Sequence, residues 1–508
     1  MLRARVALNP AAVVAPVNRR TFGSFVEHMG RCVYTGIYEP GHPSADEDGF
    51  RADVLALARE LGVTMVRYPG GNFVSGYRWE DGIGPAEKRP RRRDLAWRSI
   101  ETNQVGIDEF AKWAEKAGVE IMYAVNLGTR GVQEALDVHE YLNHPEGTEL
   151  SERRRANGAE KPYGIKIWCL GNELDGPWQT GHKTAEEYGL LAAATARALK
   201  SAEPDLELVA CGSSSSSMPT FGSWESTVLE HAYEAVDYVS CHAYYEEYDG
   251  DLGSFLACAT DMDHFVSSIV ATADAVGARL KSKKKINISF DEWNVWYLSR
   301  FQNAPPPSEW EVAPRVIEDR YNVADAVVVG NLLISLLRHS DRVTAACQAQ
   351  LVNVIAPIMT EPGGPAWRQT VFHPFARTAA LAKGDVLETR VDCPTYQTAR
   401  YGEAALIDAV ATHDPVTGGV TLFVVNRDQE NPVELTVDLS AFGADLSVAE
   451  SVTLTDDDVR ATNTKDDPER VTLRPTTQIP TGAITTGDGS VTIALPRVSW
   501  TALRLTPA

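Results

Sequence analysis

Short apolar runs alternate with longer amphipathic stretches over the first three quarters of the chain. Eight runs predict strands: Thr21–His28, Thr64–Tyr68, Glu120–Asn126, Lys166–Leu170, Glu207–Cys211, Tyr238–His242, Lys285–Phe290 and Thr344–Gln350. Between them the apolar positions take a helical period over Ala52–Leu61, Ile107–Lys116, Val132–Leu142, Ala185–Leu199, Ser226–Ala235, Asp263–Ala275 and Val323–Leu337. Strand and helix in alternation predict a parallel sheet covered by helices. Eight strands favour a closed (β/α)8 TIM barrel, with an open doubly wound sheet as the alternative sharing that count.

From about residue 379 the helical period gives way to strand-like runs separated by turns: Leu406–Ala411, Thr421–Asn426, Glu434–Leu439, Ser451–Leu454, Val491–Leu495 and Ser499–Leu505. This predicts an all-β, jelly-roll-like sandwich. Gly418-Gly419 and Asp488-Gly489 fall between runs, where a turn needs positive φ. The polar stretch Thr455–Glu469 reads as a long loop, and Ser213–Ser217 as a strand-to-helix loop. The expected units are an N-terminal segment 1–19, a barrel 20–378 and a sandwich 379–508.

Composition narrows the function. The 508 residues carry 48 Lys+Arg against 69 Asp+Glu, a net charge of −21 that repels phosphate backbones and argues against nucleic acid as a partner. The local basic run Lys88, Arg89, Arg91, Arg92, Arg93 and Arg98 reads as a solvated loop flanked by Pro85 and Pro90, and Lys281–Lys285 likewise. The most apolar helix, around Ala324–Leu337, contains Asp325 and Asn331, so no membrane span is expected. Seven cysteines without a C-x-x-C pair suggest reduced, packed thiols. Met1–Val17 is interrupted by Asn9, Pro10 and Pro16 and lacks a small-residue cleavage site, which predicts a cytoplasmic location, with secretion as the alternative.

In a barrel, chemistry sits where the strands end at the C-terminal face. Here the strands end in Glu27-His28, Arg67 followed by Pro69-Gly70-Gly71-Asn72, Asn126, Asn172-Glu173, His242 with Tyr244, Asp291-Glu292-Trp293-Asn294, and Gln350 with Asn353. One acid at a strand end often caps the following helix. Two acids, Glu173 and Glu292, three strands apart, can share one pocket, as glycosidic bond cleavage requires. One carboxyl gives a proton to the leaving oxygen while the other supplies electron density to the anomeric carbon. Spacing does not decide which glutamate does which.

Trp168-Cys169-Leu170-Gly171-Asn172-Glu173 is similar to the acid/base signature of clan A glycosidases. Phe25-Val26-Glu27-His28-Met29-Gly30, Arg67-Tyr68-Pro69-Gly70-Gly71-Asn72-Phe73, Asp291-Glu292-Trp293-Asn294 and Gln350-Leu351-Val352-Asn353-Val354-Ile355-Ala356-Pro357 resemble the α-L-arabinofuranosidases of glycoside hydrolase family 51. The resemblance implies that Glu173 is the general acid/base and Glu292 the nucleophile of a retaining mechanism, with no cofactor. It implies arabinose-binding roles for Glu27, Asn72, Asn172, Tyr244 and Gln350, with His242 beside the nucleophile and Trp97 and Trp296 as aromatic walls. Substrates would be arabinofuranosyl-containing oligosaccharides. The resemblance also implies that Leu2–Leu8 pairs with the sandwich and that the chain assembles as a homohexamer.

The residues themselves fit these roles, since a carboxylate and three amides offer both donors and acceptors to sugar hydroxyls. Each strand-end amide also has an ordinary structural reading, because buried polar groups must be satisfied. Trp97, Trp293 and Trp296 are as well suited to a core as to a pocket. The dispersed histidines form no H-x-H or H-E-x-x-H pattern, so no catalytic metal is expected. There is no G-x-S-x-G, P-loop or dinucleotide fingerprint. The alternatives are another clan A retaining glycosidase, a β-xylosidase or endo-glucanase, and a catalytically silent sugar-binding protein.

Overall fold

The computed structural model describes residues 2–304, 309–443, 445–487 and 489–508. Eight parallel strands close into a barrel in the order Gly23–Phe25, Met65–Tyr68, Glu120–Ala124, Ile167–Leu170, Glu207–Ala210, Tyr238–Tyr245, Asn287–Val295 and Val343–Ala349, the last pairing back to the first. All eight lie within or across the expected runs. They are numbered one to eight below. Nearly every residue in them is buried on both faces, as a parallel sheet between a filled interior and a helical ring requires.

The helices form at amphipathic segments with clear stop signals. Ala52–Leu61 and Ile107–Ala117 end at Gly62 and Gly118, which take the left-handed conformation at φ +80° and +74°. Ala185–Ala202 starts at Thr184, whose side chain accepts from the Glu187 N–H. Phe372–Leu381 lies outside the expected helices, as do the shorter Glu149–Ala156, Leu252–Leu256 and Leu298–Asn303. Pro374 reads as a breaker, yet it occupies the first turn, where no intrahelical N–H is needed. This helix straddles residue 378, and the next strand begins at Asp385.

Strand seven differs from expectation in a way that matters. It continues past Phe290 to Val295 and carries one extra residue against both neighbours. Ser289 and Glu292 pair with Ser240 and His242, and Phe290 and Trp293 pair with Ala346 and Gln348. A bulge of this kind breaks the in-out alternation of a strand. It allows the consecutive acids Asp291 and Glu292 both to reach groups in the barrel mouth.

Three short two-stranded pairs aside, the remaining strands form two facing sheets. One has the order Arg390–Asp392, Leu2–Ala7, Val433–Asp438, Ser490–Leu495, Ile484–Gly487. The other runs Val13–Pro16, Asp385–Leu387, Ile407–Asp414, Gly419–Asn426, Ser499–Pro507, Leu446–Leu454, Arg474–Pro475. Leu2–Ala7 pairs in parallel with Val433–Asp438, so the N-terminal segment lends a strand to each sheet. Val6, Leu422, Leu435, Ile493 and Leu503 pack between them as a core of their own. Gly418 and Gly489 have φ +71° and +67°, as expected for these turns, while Asp488 lies outside the described residues. Among the described residues no helix is long and apolar enough to cross a membrane.

Candidate active site

Strand four places Asn172 and Glu173 at the barrel mouth, and strand seven places Asp291 and Glu292 there. Glu173, His242 and Glu292 each present one side-chain donor atom, all within 4.8 Å of one another. That is the close carboxyl separation of a double displacement, far short of the gap that leaves room for a water between the acids. Glu173 has φ +45°, a left-handed conformation that costs a non-glycine residue roughly 1–3 kcal/mol and recurs at functional sites.

Each carboxylate is held at both oxygens. Arg67 Nη1 donates to Glu292 Oε1 at 2.6 Å and the Tyr244 hydroxyl to Oε2 at 2.8 Å. Trp178 Nε1 donates to Glu173 Oε2 at 2.8 Å, and His242 Nδ1 lies 2.8 Å from Oε1. The other ring nitrogen of His242 lies 2.8 Å from Asp291 Oδ1. Burial pushes the His242 imidazole down, but the Glu292 charge and the bonds to Asp291 and Glu173 outweigh it and raise it to about 10. Burial likewise pushes Asp291 up, and Arg67 and His242 together bring it below the usual carboxylate range.

Glu27 forms the opposite side. Its Oε1 accepts from the Phe73 backbone N–H and from Trp97 Nε1, both at 2.9 Å, and its Oε2 accepts from Gln350 Nε2 at 3.2 Å. Burial, opposed by the Phe73 N–H and reinforced by the Glu292 charge, lifts the Glu27 carboxyl to about 8. Asn172 is gripped by Arg67 Nη2 at 2.7 Å and donates to Asn72 Oδ1 at 3.2 Å. The loop after strand two must pass close to these acids, and Gly71 permits it: a Cβ there would stand 3.0 Å from Glu292 Oε1.

The structure thus gathers Glu27, Asn72, Trp97, Asn172, Glu173, His242, Tyr244, Glu292 and Gln350 into one connected cluster at the barrel mouth. Trp296 joins them by an edge-on contact with Tyr244 at 5.0 Å. Trp293 does not, being fully buried and stacked on Phe375. Three other strand-end groups serve the scaffold. His28 bonds Glu101 and Tyr68, Asn126 bonds the Tyr77 carbonyl, and Asn353 bonds the Arg31 carbonyl and Thr360.

Sequence reasoning missed Arg67, Asp291 and Trp178 as site residues. A charged residue inside a buried strand was the available signal for Arg67. Trp178 had none, since its loop position follows from the fold alone. The basic run is also not simply solvated: Arg92–Asp94 and Ser99–Glu101 form a hairpin with Trp97 at its turn, and Arg89 is buried against Glu109 and the Gly84 carbonyl.

Three donors within 4.8 Å raise the question of a cation. The donor set does not suit one, because both ring nitrogens of His242 are engaged by Glu173 and Asp291 and the oxygens of Glu173 and Glu292 each meet a protein partner.

Known proteins share this architecture. Residues 57–251 match the family model of the alpha-L-arabinofuranosidase 1 domain, and residues 291–499 that of the alpha-L-arabinofuranosidase C-terminal domain. The chain is 59% identical to an intracellular exo-alpha-(1->5)-L-arabinofuranosidase of Streptomyces lividans, covering 99% of this chain and 75% of that protein. It is also 59% identical to an exo-alpha-(1->6)-L-arabinofuranosidase of Bifidobacterium longum, covering 97% and 95%. The solved structure of a family 51 alpha-L-arabinofuranosidase from Bifidobacterium longum superposes with a TM-score of 0.94 at 51% identity over 99% of each chain. With domain models, relatives and mouth geometry in agreement, the chain belongs to the family 51 α-L-arabinofuranosidases.

Proposed function

We propose that this enzyme removes terminal non-reducing α-L-arabinofuranosyl residues from arabinan- and arabinoxylan-derived oligosaccharides with net retention. The observation that carries the reading is the Glu173–Glu292 pair, within 4.8 Å across strands four and seven, in a chain of this family. Glu292, fixed by Arg67 and Tyr244, attacks the anomeric carbon. As that bond forms, the bond to the leaving oxygen breaks and Glu173 delivers a proton to it. Water then attacks the glycosyl ester, Glu173 takes the water's proton, and the Glu292 carboxylate is released. The reaction consumes only water and invokes no cofactor.

Glu27, Asn72, Asn172 and Gln350 are assigned to the sugar hydroxyls, Tyr244 and His242 to the catalytic carboxylates, and Trp97 and Trp296 to the walls. Two relatives of equal identity carry different linkages in their names, so overall similarity does not set the linkage preference here. A cytoplasmic location is supported by the word intracellular in the name of the Streptomyces relative. The homohexamer implied by family resemblance is tested by light scattering.

The roles are tested with azide. Glu292→Ala is expected to lose turnover and to form, with azide, a glycosyl azide of inverted configuration. Glu173→Ala is expected to lose about 10²–10⁴-fold and to give the retained azide. Near-normal activity in either variant overturns the assignment.

A further inference from the structure

The arginine-rich hairpin remains to be explained, and its contacts lead across the barrel mouth. Arg93 and Arg98 both stand over the Trp310 ring, at 5.5 and 5.6 Å from its centroid. Next to it, the Ile100 N–H donates to the Glu311 carbonyl at 2.8 Å. Phe301 lies 6.3 Å from the Trp97 ring and 6.0 Å from the Trp296 ring, and remains 41% exposed. The hairpin follows strand two, whereas Trp296, Phe301 and Trp310 follow strand seven. Strands eight and one lie between those two around the barrel, so the joined segments span that arc of the rim.

This placement has a chemical consequence. Glu173 stands on strand four, diametrically opposite strand eight in the closed order. The acid must face the leaving oxygen, so the remainder of the substrate departs on the strand-four side. The joined wall therefore stands behind the sugar, where a chain continuing from its non-reducing side would have to pass.

We propose that the stacking of Arg93 and Arg98 on Trp310, together with Phe301 against Trp97 and Trp296, closes the pocket behind the sugar and confines cleavage to chain ends. The proposal rests on the arabinofuranosidase reading. Arg93, Arg98 and Trp310 act as positioning residues, holding Trp97 where its indole N–H meets Glu27 at 2.9 Å. Phe301 is the specificity-determining residue that fills the gap between the two indoles. Two members of the basic run, Arg93 and Arg98, are thereby the clamp of a two-segment wall.

The test uses two probes, 4-nitrophenyl α-L-arabinofuranoside and the 4-nitrophenyl glycoside of α-1,5-linked arabinobiose, with products separated at early conversion. The unaltered enzyme releases arabinose from both and no intact arabinobiose. The Phe301→Ala/Trp310→Ala variant is expected to release arabinobiose directly, with KM for the first probe raised roughly threefold to tenfold and kcat little changed. The Phe301→Tyr/Trp310→Tyr variant keeps the stacking and is expected to behave as the unaltered enzyme. Should the alanine pair fail to fold, Arg93→Ala/Arg98→Ala removes the clamp from exposed positions and is expected to shift the products the same way. Absence of arabinobiose from the products of every folded alanine variant overturns the proposal, as does its release by the tyrosine pair. An unaltered enzyme that releases no arabinose from either probe overturns the arabinofuranosidase reading instead.

Discussion

The guanidinium of Arg67 stands 2.6 Å from Glu292 Oε1, inside a barrel mouth where both side chains are almost fully buried. The same group reaches Asn172 at 2.7 Å and lies 4.0 Å from Asp291. One cation thus ties the acid of strand seven to the amide of strand four. Arg67→Met is expected to leave buried carboxylates unpaired, lowering unfolding free energy by about 3–5 kcal/mol. It should also lower kcat by roughly 10²-fold or more, as loss of an electrostatic partner at the reacting centre does. Arg67→Lys keeps the charge without the fork and should fall between. Denaturant unfolding and steady-state kinetics check both effects.

His242 gives a pH dependence of defined sign. Its ring is raised to about 10 in the folded protein, above the ordinary 6.5. The stability this contributes is fully present below about pH 6.5 and is lost as pH rises through 10. Asp291→Asn keeps an oxygen that can accept but removes one of the negative charges that hold the proton on the ring. Unfolding free energy measured from pH 6.5 to 10 is expected to fall less steeply in that variant, and ring titration followed by NMR should move back toward the ordinary value. An unchanged slope would show that the Asp291 contact does not set the charge of His242.

The barrel and the two glutamates were legible because they depend on local signals. Buried strands read as apolar runs, and polar residues stand out where those runs stop. The bulge at Asp291–Glu292 was not legible, since an extra residue shows only against the register of neighbouring strands. The same limit applies to Trp178, whose bond to Glu173 is made by a loop. His28 and Asn353 stand at strand ends like the pocket residues but turn back into the scaffold, and a strand-end position does not say which way a side chain turns. In the helix Val323–Arg338, Asp325 and Asn331 read as interruptions of an apolar surface. They prove to be its anchors: Asp325 accepts from the Tyr297 hydroxyl at 2.8 Å, and Asn331 bonds Arg427 and Asp408.

Glu27 gives the same pH sign in a lower window. Burial, the largest influence, lifts its carboxyl from the ordinary 4.5 to about 8, so the folded protein binds this proton where the unfolded chain has released it. Stability therefore declines as pH rises from about 4.5 through 8. Glu27→Gln cannot ionise and should flatten that decline in pH-resolved thermal unfolding. The amide nitrogen cannot accept, which leaves one of the Phe73, Trp97 and Gln350 donors unpaired. A penalty of about 1–3 kcal/mol carried into substrate binding corresponds to a rise in KM of roughly fivefold to 150-fold, measured on an aryl arabinofuranoside.

The barrel and sandwich are joined by a buried polar contact that should separate stability from catalysis. Asn331, on the helix that follows strand seven, accepts from Arg427 Nε at 3.0 Å and Nη2 at 2.6 Å, and donates to Asp408 Oδ2 at 2.7 Å. Arg427 and Asp408 belong to the sandwich and also bond each other at 2.8 Å. Asn331→Leu leaves the Arg427 Nε without its acceptor in a buried interface, at a cost of about 1.5–3 kcal/mol for a bond to a charged group. Asn331 lies on no catalytic strand end, so kcat in native buffer should stay within about twofold while the denaturation midpoint falls. Pairing Asn331→Leu with Arg427→Leu removes the orphaned donor as well, and the double variant should lose less than the sum of the singles by roughly 0.5–3 kcal/mol. Strict additivity would mean that the two domains are held by the surrounding apolar contacts and that this polar contact contributes no coupling.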